Sequence, residues 1–162
     1  MKILSIVILA LSTSFGFANK ELNKKLDELF DLRIKIAKVQ NEEFLKGAES
    51  LKNPKVREFL VKSESDLGQH WIKYLGYIKV TPDLKARLLV LRLEIVSELN
   101  NGYYDLESAE SFLEKTEANA SIVKWKKALK KLEEAEAIYK KLAKEKKKLG
   151  QTERRPFHIV LG

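Results

Sequence analysis

The sequence predicts an all-α protein, an antiparallel bundle of four to five helices with a long basic C-terminal helix. Apolar residues recur at spacings of three, four and seven over long segments, which is the period of one helix face. Only seven glycines and three prolines interrupt the chain, and two of the prolines lie beside helix-capping residues. Such a pattern leaves short connections, and short connections favour antiparallel neighbours.

The N-terminal segment has the three parts of a secretory signal. Lys2 precedes an apolar run from Ile3 to Leu11, and small residues at Gly16 and Ala18 occupy the positions that a signal peptidase reads. The alternative is an uncleaved membrane anchor, but a spanning helix needs roughly 20 apolar residues. We therefore interpret residues 1–18 as a signal peptide. The chain is predicted to be exported from a bacterial cell, periplasmic or secreted, and soluble after cleavage.

The remaining chain is predicted to be one helical bundle domain over residues 19–150, followed by a short tail over residues 151–162. A mature chain of this size is an ordinary single domain and buries enough surface to hold a core. The chain contains no cysteine, so no disulfide stabilises its core. This is compatible with export, because an oxidising compartment permits disulfides but does not require them.

The first two helices follow from periodicity and capping. The first is predicted from Lys20 to Lys46, with Gly47 as its stop. Asn53-Pro54 then starts the second, because Asn is a strong N-cap and Pro fits the first helical position. Its predicted core face is a stripe at helical spacing, formed by Val56, Leu60, Leu67, Trp71, Tyr74 and Ile78.

The third helix is predicted from Pro82 to Leu99 and carries apolar residues on more than one face, which indicates a central helix. Asn100-Asn101-Gly102 tolerates the left-handed conformation and is predicted to end it. Asp105 is then predicted to cap a further short helix. Ser121 either starts the last helix or marks a kink within it, and Gly150 closes that helix.

Charge is concentrated at the C-terminal end. Residues 19–120 contain 17 Lys/Arg and 18 Asp/Glu, whereas residues 121–162 contain 13 and 5. Such asymmetry indicates a basic arm that binds an anionic partner, and the alternative is a solvated face that serves solubility alone. The predicted binding residues are Lys124, Lys127, Lys131, Lys140, Lys141, Lys144, Lys146, Lys147, Lys148, Arg154 and Arg155.

Catalytic and metal-binding patterns are sparse. The sequence has no glycine-rich phosphate loop, no cysteine nucleophile and no nucleophile-elbow serine. Asp66 and His70 share a helix face, as a metal pair would, but no third ligand accompanies them. We therefore predict no metal and no cofactor. Trp71 and Trp125 lie on apolar stripes and are expected in the core rather than on a stacking platform.

Two stretches nevertheless resemble an enzyme family. "LFDLRIKIAKV", which contains Arg33, and "VREFL", which contains Arg57-Glu58, are similar to segments of the secreted all-helical chorismate mutases. The resemblance implies that these side chains hold a dicarboxylate and stabilise charge on an ether oxygen. Phe44 stands where that family has a lysine, and the third helix lacks the family's glutamine-bearing motif.

The sequence favours a non-enzymatic binding protein. In size, charge and helicity the chain resembles the periplasmic holdase chaperones of the Skp class, which grip unfolded outer-membrane proteins, although the β-strand that follows their signal peptide is missing. The predicted partner is a protein or an anionic envelope polymer or lipid, with nucleic acid as a weaker alternative. The long helices also offer surfaces for coiled-coil oligomerisation. A chorismate mutase-like enzyme is the alternative function.

Overall fold

A computed structural model describes the backbone of residues 2–153 and the side chains of residues 17–63 and 66–148. The described residues form four helices: α1 (Lys2–Glu49), α2 (Pro54–Val80), α3 (Leu84–Ser108) and α4 (Phe112–Glu153). The prediction of an all-helical chain is therefore confirmed for this part of the protein, and the packing of the helices fits a bundle. The last helix passes the predicted stop at Gly150 and continues to Glu153, and the rest of the predicted tail, from position 154 onward, lies outside the described residues.

α1 is longer than the sequence predicts. It runs for 48 residues from Lys2 and passes the expected cleavage position after Ala18 without a break. Its C-terminal end lies two residues beyond the predicted stop at Gly47, where the Ser50 amide and hydroxyl both donate to the Gly47 carbonyl. Export and cleavage remain predictions, because continuity of a helix does not decide whether a peptidase cuts it.

The predicted N-cap is present at the start of α2, and α3 starts with a cap of the same kind. The Asn53 side chain accepts hydrogen bonds from the amides of Lys55 at 3.1 Å and Val56 at 3.3 Å. At α3 the cap is Asp83, which accepts from the two amides that follow Leu84. The predicted start at Pro82 is therefore wrong by two positions, because a carboxylate next to the first turn satisfies its free amides.

The boundary between α3 and α4 differs from the prediction. α3 continues through Asn100-Asn101-Gly102 to Ser108 and includes Asp105, so no separate short helix forms there. A capping box starts α4 instead: Glu114 accepts from the Ser111 amide at 2.8 Å, and the Ser111 hydroxyl accepts from the Glu114 amide at 3.2 Å. α4 then passes through Ser121 without a new start.

Gly102 lies inside α3 because α4 approaches closely there. It is buried, and a Cβ atom at this position would lie 3.1 Å from the Ile122 side chain. The absence of a side chain at Gly102 thus allows close packing of α4, whereas the sequence predicted a helix end at this glycine. No glycine in the described residues has a positive φ.

Ion pairs between helices fix their relative directions. α1 is antiparallel to α2 and α4 and parallel to α3, as short connections require. α1 and α3 each contact the three other helices, whereas α2 and α4 do not contact in the described part of the chain. The pairs that give these directions are Lys79–Asp31, Lys25–Glu134, Lys131–Glu28, Arg87–Asp27, Arg33–Glu94 and Arg92–Glu136.

The molecule has two halves that differ in packing. We call residues 17–37, 72–96 and 124–148 the packed half and residues 38–71 and 97–123 the open half. Among the described side chains, the packed half contains 14 buried apolar residues and the open half only three, namely Ala48, Ala118 and Ile122. The core of the packed half comprises Leu22, Leu26, Leu29, Phe30, Ala37, Leu75, Leu88, Leu91, Ile95, Trp125, Ala128, Leu132, Ala135 and Leu142.

α2 uses a different face from the predicted one. It turns Leu75 into the core, with Ile72 partly buried beside it, and contacts α3 only slightly. Most of the predicted stripe therefore faces solvent, and its exposed members are Val56, Leu67, Trp71 and Tyr74. The predicted central position of α3 is likewise only half right, because Leu89 and Leu93 on α3 are exposed.

Candidate functional site

The predicted lysine residues lie on the solvent side of α4. The residues Trp125, Leu132 and Leu142 bury the opposite side of this helix, because they repeat at helical spacing along one stripe. Lys131 differs from the rest, since it is half-buried and forms an ion pair with Glu28. The exposed members are Lys124, Lys127, Lys140, Lys141, Lys144, Lys146, Lys147 and Lys148. Arg154 and Arg155 lie outside the described residues.

Ion pairs with α1 engage charged side chains of both signs in the middle of α4. Lys25 of α1 donates to Glu134 at 2.8 Å, and this hydrogen bond lowers the pKa of the Glu134 carboxyl and raises the pKa of the Lys25 ammonium. The hydrogen bond from Lys131 likewise lowers the pKa of Glu28. Residues 140–148 contain six lysines and one glutamate, so the excess positive charge is concentrated there. We call the six lysines of this segment the lysine surface.

A buried arginine network joins α1 to α3. The Arg33 side chain is 8% exposed and pairs with Glu94 at 2.7 Å and Glu98 at 3.0 Å, whose side chains are 14% and 12% exposed. Gln40 donates a further hydrogen bond to Glu98 at 3.2 Å. The sequence identified Arg33 but could not reveal its partners, since they lie about 60 residues away on another helix.

The residues that resemble those of the chorismate mutases, Arg33 and Arg57-Glu58, lie in different environments. Two carboxylates neutralise Arg33, whereas Arg57 and Glu58 are exposed near the start of α2. Asn41 of α1 and Gly68 of α2 lie opposite each other, because a Cβ atom at Gly68 would overlap the Asn41 side chain. At about 1.5 Å of rise per residue, Arg57 lies roughly 28 Å along the helix pair from Arg33. The described arrangement therefore does not bring these arginines to one substrate.

A groove between α1 and α2 adjoins the arginine network. Its volume is about 250 Å³, and it is lined by Arg33, Ala37, Gln40, Asn41, Phe44, Gly68 and Trp71. The Trp71 ring stacks on Tyr74 with centroids 5.1 Å apart. Trp71 is 40% exposed, whereas Trp125 is 2% exposed. The core prediction is thus correct for Trp125 and wrong for Trp71, because α2 turns that face away from the core.

The open half displays many apolar side chains to solvent. Several of these side chains were predicted in the core from their helical spacing. The spacing correctly indicates an apolar helix face, but it does not show whether another helix covers that face. Exposed fractions range from 38% at Leu51 to 87% at Phe112. The exposed large apolar residues of this half are Val39, Phe44, Leu51, Val56, Phe59, Leu67, Trp71, Tyr103, Tyr104, Phe112, Leu113 and Val123.

The candidate metal pair does not extend to a site. His70 is exposed, and its Nδ1 donates to the Asp66 backbone carbonyl at 2.8 Å, which occupies one ring nitrogen locally. Within the described residues, no group of three or more His, Cys, Asp or Glu side chains could hold a metal ion. The second histidine of the chain, His158, lies outside the described residues.

Comparison with known proteins gives no match, since no family model, no curated protein and no solved structure is similar to this chain. In the part of the chain that the structure describes, no helix has the length and apolar character needed to cross a bilayer.

Proposed function

We propose that this protein is an exported, non-enzymatic helical binding protein whose long basic C-terminal helix engages an anionic partner. The observation that supports the proposal is the lysine surface on α4. Its lysines are exposed, while the apolar stripe of the same helix is buried against the bundle. The helix therefore presents cations along one side of a fixed scaffold, without loss of core contacts.

The nature of the partner follows from the compartment that the sequence predicts. For an exported chain, the anionic partners within reach are an acidic protein, an envelope polymer or an anionic lipid, and nucleic acid is a weaker alternative. Surface charge of one sign raises the local concentration of an opposite-sign partner, and salt screens this attraction over a Debye length of about 10 Å at 0.1 M. Binding through the lysine surface should therefore weaken steeply as salt rises.

A chaperone-like role is the second candidate, and the open half favours it. Large exposed apolar patches on soluble domains often mark interaction sites, and the open half carries twelve exposed large apolar residues. Such a role combines electrostatic attraction of a client with apolar contacts to it. A chorismate mutase-like activity is less well supported, since Arg33 is paired with Glu94 and Glu98.

Charge reversal tests the lysine surface. In one variant Lys140, Lys141, Lys144, Lys147 and Lys148 become Glu; in a matched control the same change is made at Lys38, Lys46, Lys52, Lys55 and Lys62, which are exposed in the open half. Binding to heparin and to anionic vesicles is measured at rising salt, with neutral vesicles as a reference. We expect the first variant to lose binding and the control to keep most of it.

Equal losses in the two variants would show that net charge alone drives binding, and retained binding in the first variant would refute the lysine surface. Circular dichroism checks that both variants stay helical. Heparin binding without vesicle binding would point to a polymer, and the reverse result to lipid.

A further inference from the structure

The end of the bundle where α3 meets α4 is strongly acidic. Residues 103–117, which we call the acidic tip, contain five Asp/Glu and one Lys/Arg. All five acidic side chains are exposed, namely Asp105, Glu107, Glu110, Glu114 and Glu117. In the described part of the chain none of them forms an ion pair. The molecule itself therefore supplies little counter-charge to this end.

Four of the carboxylates share one groove. The groove lies between α3 and α4, has a volume of about 530 Å³, and takes its charged lining from Asp105, Glu110, Glu114 and Glu117. A cleft lined by charges of one sign focuses the electric field and raises the local concentration of the opposite sign. The acidic tip is thus suited to a partner that carries several cations.

Exposed apolar side chains accompany these carboxylates. Tyr104 is 71% exposed, Leu113 66% and Phe112 87%. At the same end the Lys126 ammonium lies 5.4 Å from the centre of the Tyr103 ring, so one lysine already contacts an aromatic side chain of the tip. A lysine can lay its apolar stem on such a surface and keep its ammonium beside a carboxylate. A lysine-rich helix therefore matches both the charge and the aromatic character of the tip.

The lysine surface of α4 has this chemistry, but it cannot reach the tip of its own molecule. Residues 140–148 contain six lysines and one glutamate. α4 is one continuous helix through both segments, so Glu114 and Lys144 lie about 45 Å apart at 1.5 Å of rise per residue. This separation is several Debye lengths at 0.1 M salt, where one Debye length is about 10 Å. The two surfaces can meet only between two molecules.

We propose that the acidic tip of one molecule binds the lysine surface of a second copy, head to tail. The proposal rests on the proposed function, since it names the anionic partner of the lysine surface. Spacing supports the match: Glu114 and Glu117 are three residues apart on α4, as are Lys144 and Lys147. Both surfaces therefore present charges at close to one helical turn, about 5.4 Å.

Charge disfavours the other ways of pairing two copies. Two acidic tips repel each other, and so do two lysine surfaces. A symmetric pair with the two α4 helices antiparallel would join tip to lysine surface at both ends, but it would bring Lys127 and Lys130 of both copies together near its centre. The contact is therefore heterologous, and each molecule uses its tip on one neighbour and its lysine surface on another. Such association continues beyond a dimer unless a ring closes.

Neutral substitutions separate the two surfaces. The tip variant leaves Glu114 intact, because its carboxylate caps α4, and carries Asp105→Asn, Glu107→Gln, Glu110→Gln and Glu117→Gln. Its matched control makes the same change of charge at exposed positions elsewhere in the open half, by Glu42→Gln, Glu43→Gln, Glu49→Gln and Glu58→Gln. The lysine variant has Gln at positions 140, 141, 144, 147 and 148. Circular dichroism verifies that all three stay helical.

Sedimentation velocity of the full chain at low salt measures the contact. We expect the wild type and the control to associate reversibly, and rising salt to weaken the association. The tip variant and the lysine variant should each self-associate about tenfold more weakly or less. Mixing these two variants should restore a single contact, between the tip of the lysine variant and the lysine surface of the tip variant. The mixture should form a 1:1 complex that does not grow further.

Three results overturn the proposal. The first is a wild type that stays monomeric at about 1 mM, the dissociation constant of a weak contact. The second is an equal loss in the tip variant and its control, which would assign the association to net charge. The third is a mixture that forms no 1:1 complex, which would exclude the head-to-tail contact.

Heparin binding separates this proposal from the function on which it rests. The tip variant should bind heparin as the wild type does, because its lysine surface is intact. Heparin binding by a wild type that does not self-associate refutes only the second copy as partner. Unchanged heparin binding by the lysine variant refutes the lysine surface as the polymer-binding surface.

Discussion

The packed and open halves are built from the same residue types and the same four helices, yet only one of them forms a core. Leu91 of α3 is fully buried in the packed half, whereas Leu67 of α2 is 64% exposed in the open half. The difference lies in the neighbours: α2 contacts α1 closely but α3 only slightly. An apolar helix face becomes a core only where a second face closes over it, and in the open half part of α2 lacks that second face.

Electrostatics follow the same division. The ion pairs that join helices in the described residues all involve the packed half, and Arg33–Glu98 is the one pair that reaches into the open half. Such pairs orient the helices, because each requires its two partners at one level of the bundle. The open half has no described counterpart, so its helices are held by fewer specific contacts.

Matched leucine truncations should show the largest difference between the halves. Leu91→Ala removes a fully buried side chain and should cost about 2–5 kcal/mol of unfolding free energy, through lost transfer energy and a cavity. Leu67→Ala removes a side chain that is 64% exposed and should change stability by about 0.5 kcal/mol or less. Urea unfolding measures both values on the full chain.

Similar costs for the two substitutions would contradict the division into halves. A large cost at Leu67 in particular would mean that α2 packs on a partner surface in solution. The concentration dependence of unfolding would then identify a second copy of the chain as that surface.

The two arginines of the chorismate mutase resemblance should differ in their contribution to stability. Arg33→Met leaves Glu94 and Glu98 buried without their cation and should cost about 3 kcal/mol, near the lower end for breaking a buried ion pair. Arg57→Met, at an exposed position, should be within about 0.5 kcal/mol. Thermal or urea unfolding of the two variants gives the difference.

A rescue experiment tests the cause. Adding Glu94→Gln and Glu98→Gln to Arg33→Met should recover part of the lost stability, because a neutral amide costs less to bury than an unpaired carboxylate. If the triple variant is no more stable than Arg33→Met, the loss comes from the packing of the Arg33 stem rather than from its charge.

Local signals predicted much of the fold. The Asn53 side-chain oxygen lies where it can accept the free amides of a first turn, and the predicted starts of α2 and α3 are correct to within two positions. The burial of Leu22 and Leu132 also follows from helical spacing. The exposed lysines of α4 follow from the same spacing, because that stripe does have a partner surface.

The remaining features depend on contacts between distant segments. The spacing on α2 showed an apolar face at Leu67 and Trp71 but not the missing neighbour that leaves it exposed. Gly102 was read as a helix stop, although its role is to admit Ile122. The partners of Arg33 lie on α3, and neither pattern nor propensity connects residues that far apart.

The smallest expected effect is the dependence of stability on pH, and it should also differ between the halves. In the packed half, Arg92 donates two hydrogen bonds of 2.7 Å to Glu136, which lower the pKa of the Glu136 carboxyl. In the open half, the Ser111 and Glu110 amides donate to Glu114 at 2.8 and 2.9 Å. Hydrogen bonding to Ser111 is the main cause of the lowered pKa of Glu114.

A folded-state pKa below the unfolded value, about 4.3 for Glu, means that the unfolded chain binds more protons between the two values. Each carboxylate therefore contributes stability that is present above about pH 4.3 and is lost as the pH falls through the folded-state pKa. For Glu136 the contribution should stay below about 1 kcal/mol, because the Arg92 side chain is 42% exposed and solvent screens the pair.

The halves should differ in how this loss appears. Glu136→Gln should flatten the acid side of the global stability curve, since the pair joins α3 to α4 within the packed half. Glu114→Gln removes the carboxylate charge from the capping box at the start of α4, so it should mainly speed amide hydrogen exchange over the first turns of that helix. Global unfolding should respond little to it. If Glu114→Gln lowers global stability as much as Glu136→Gln does, the start of α4 unfolds together with the core, and the open half is not a separate region of lower stability.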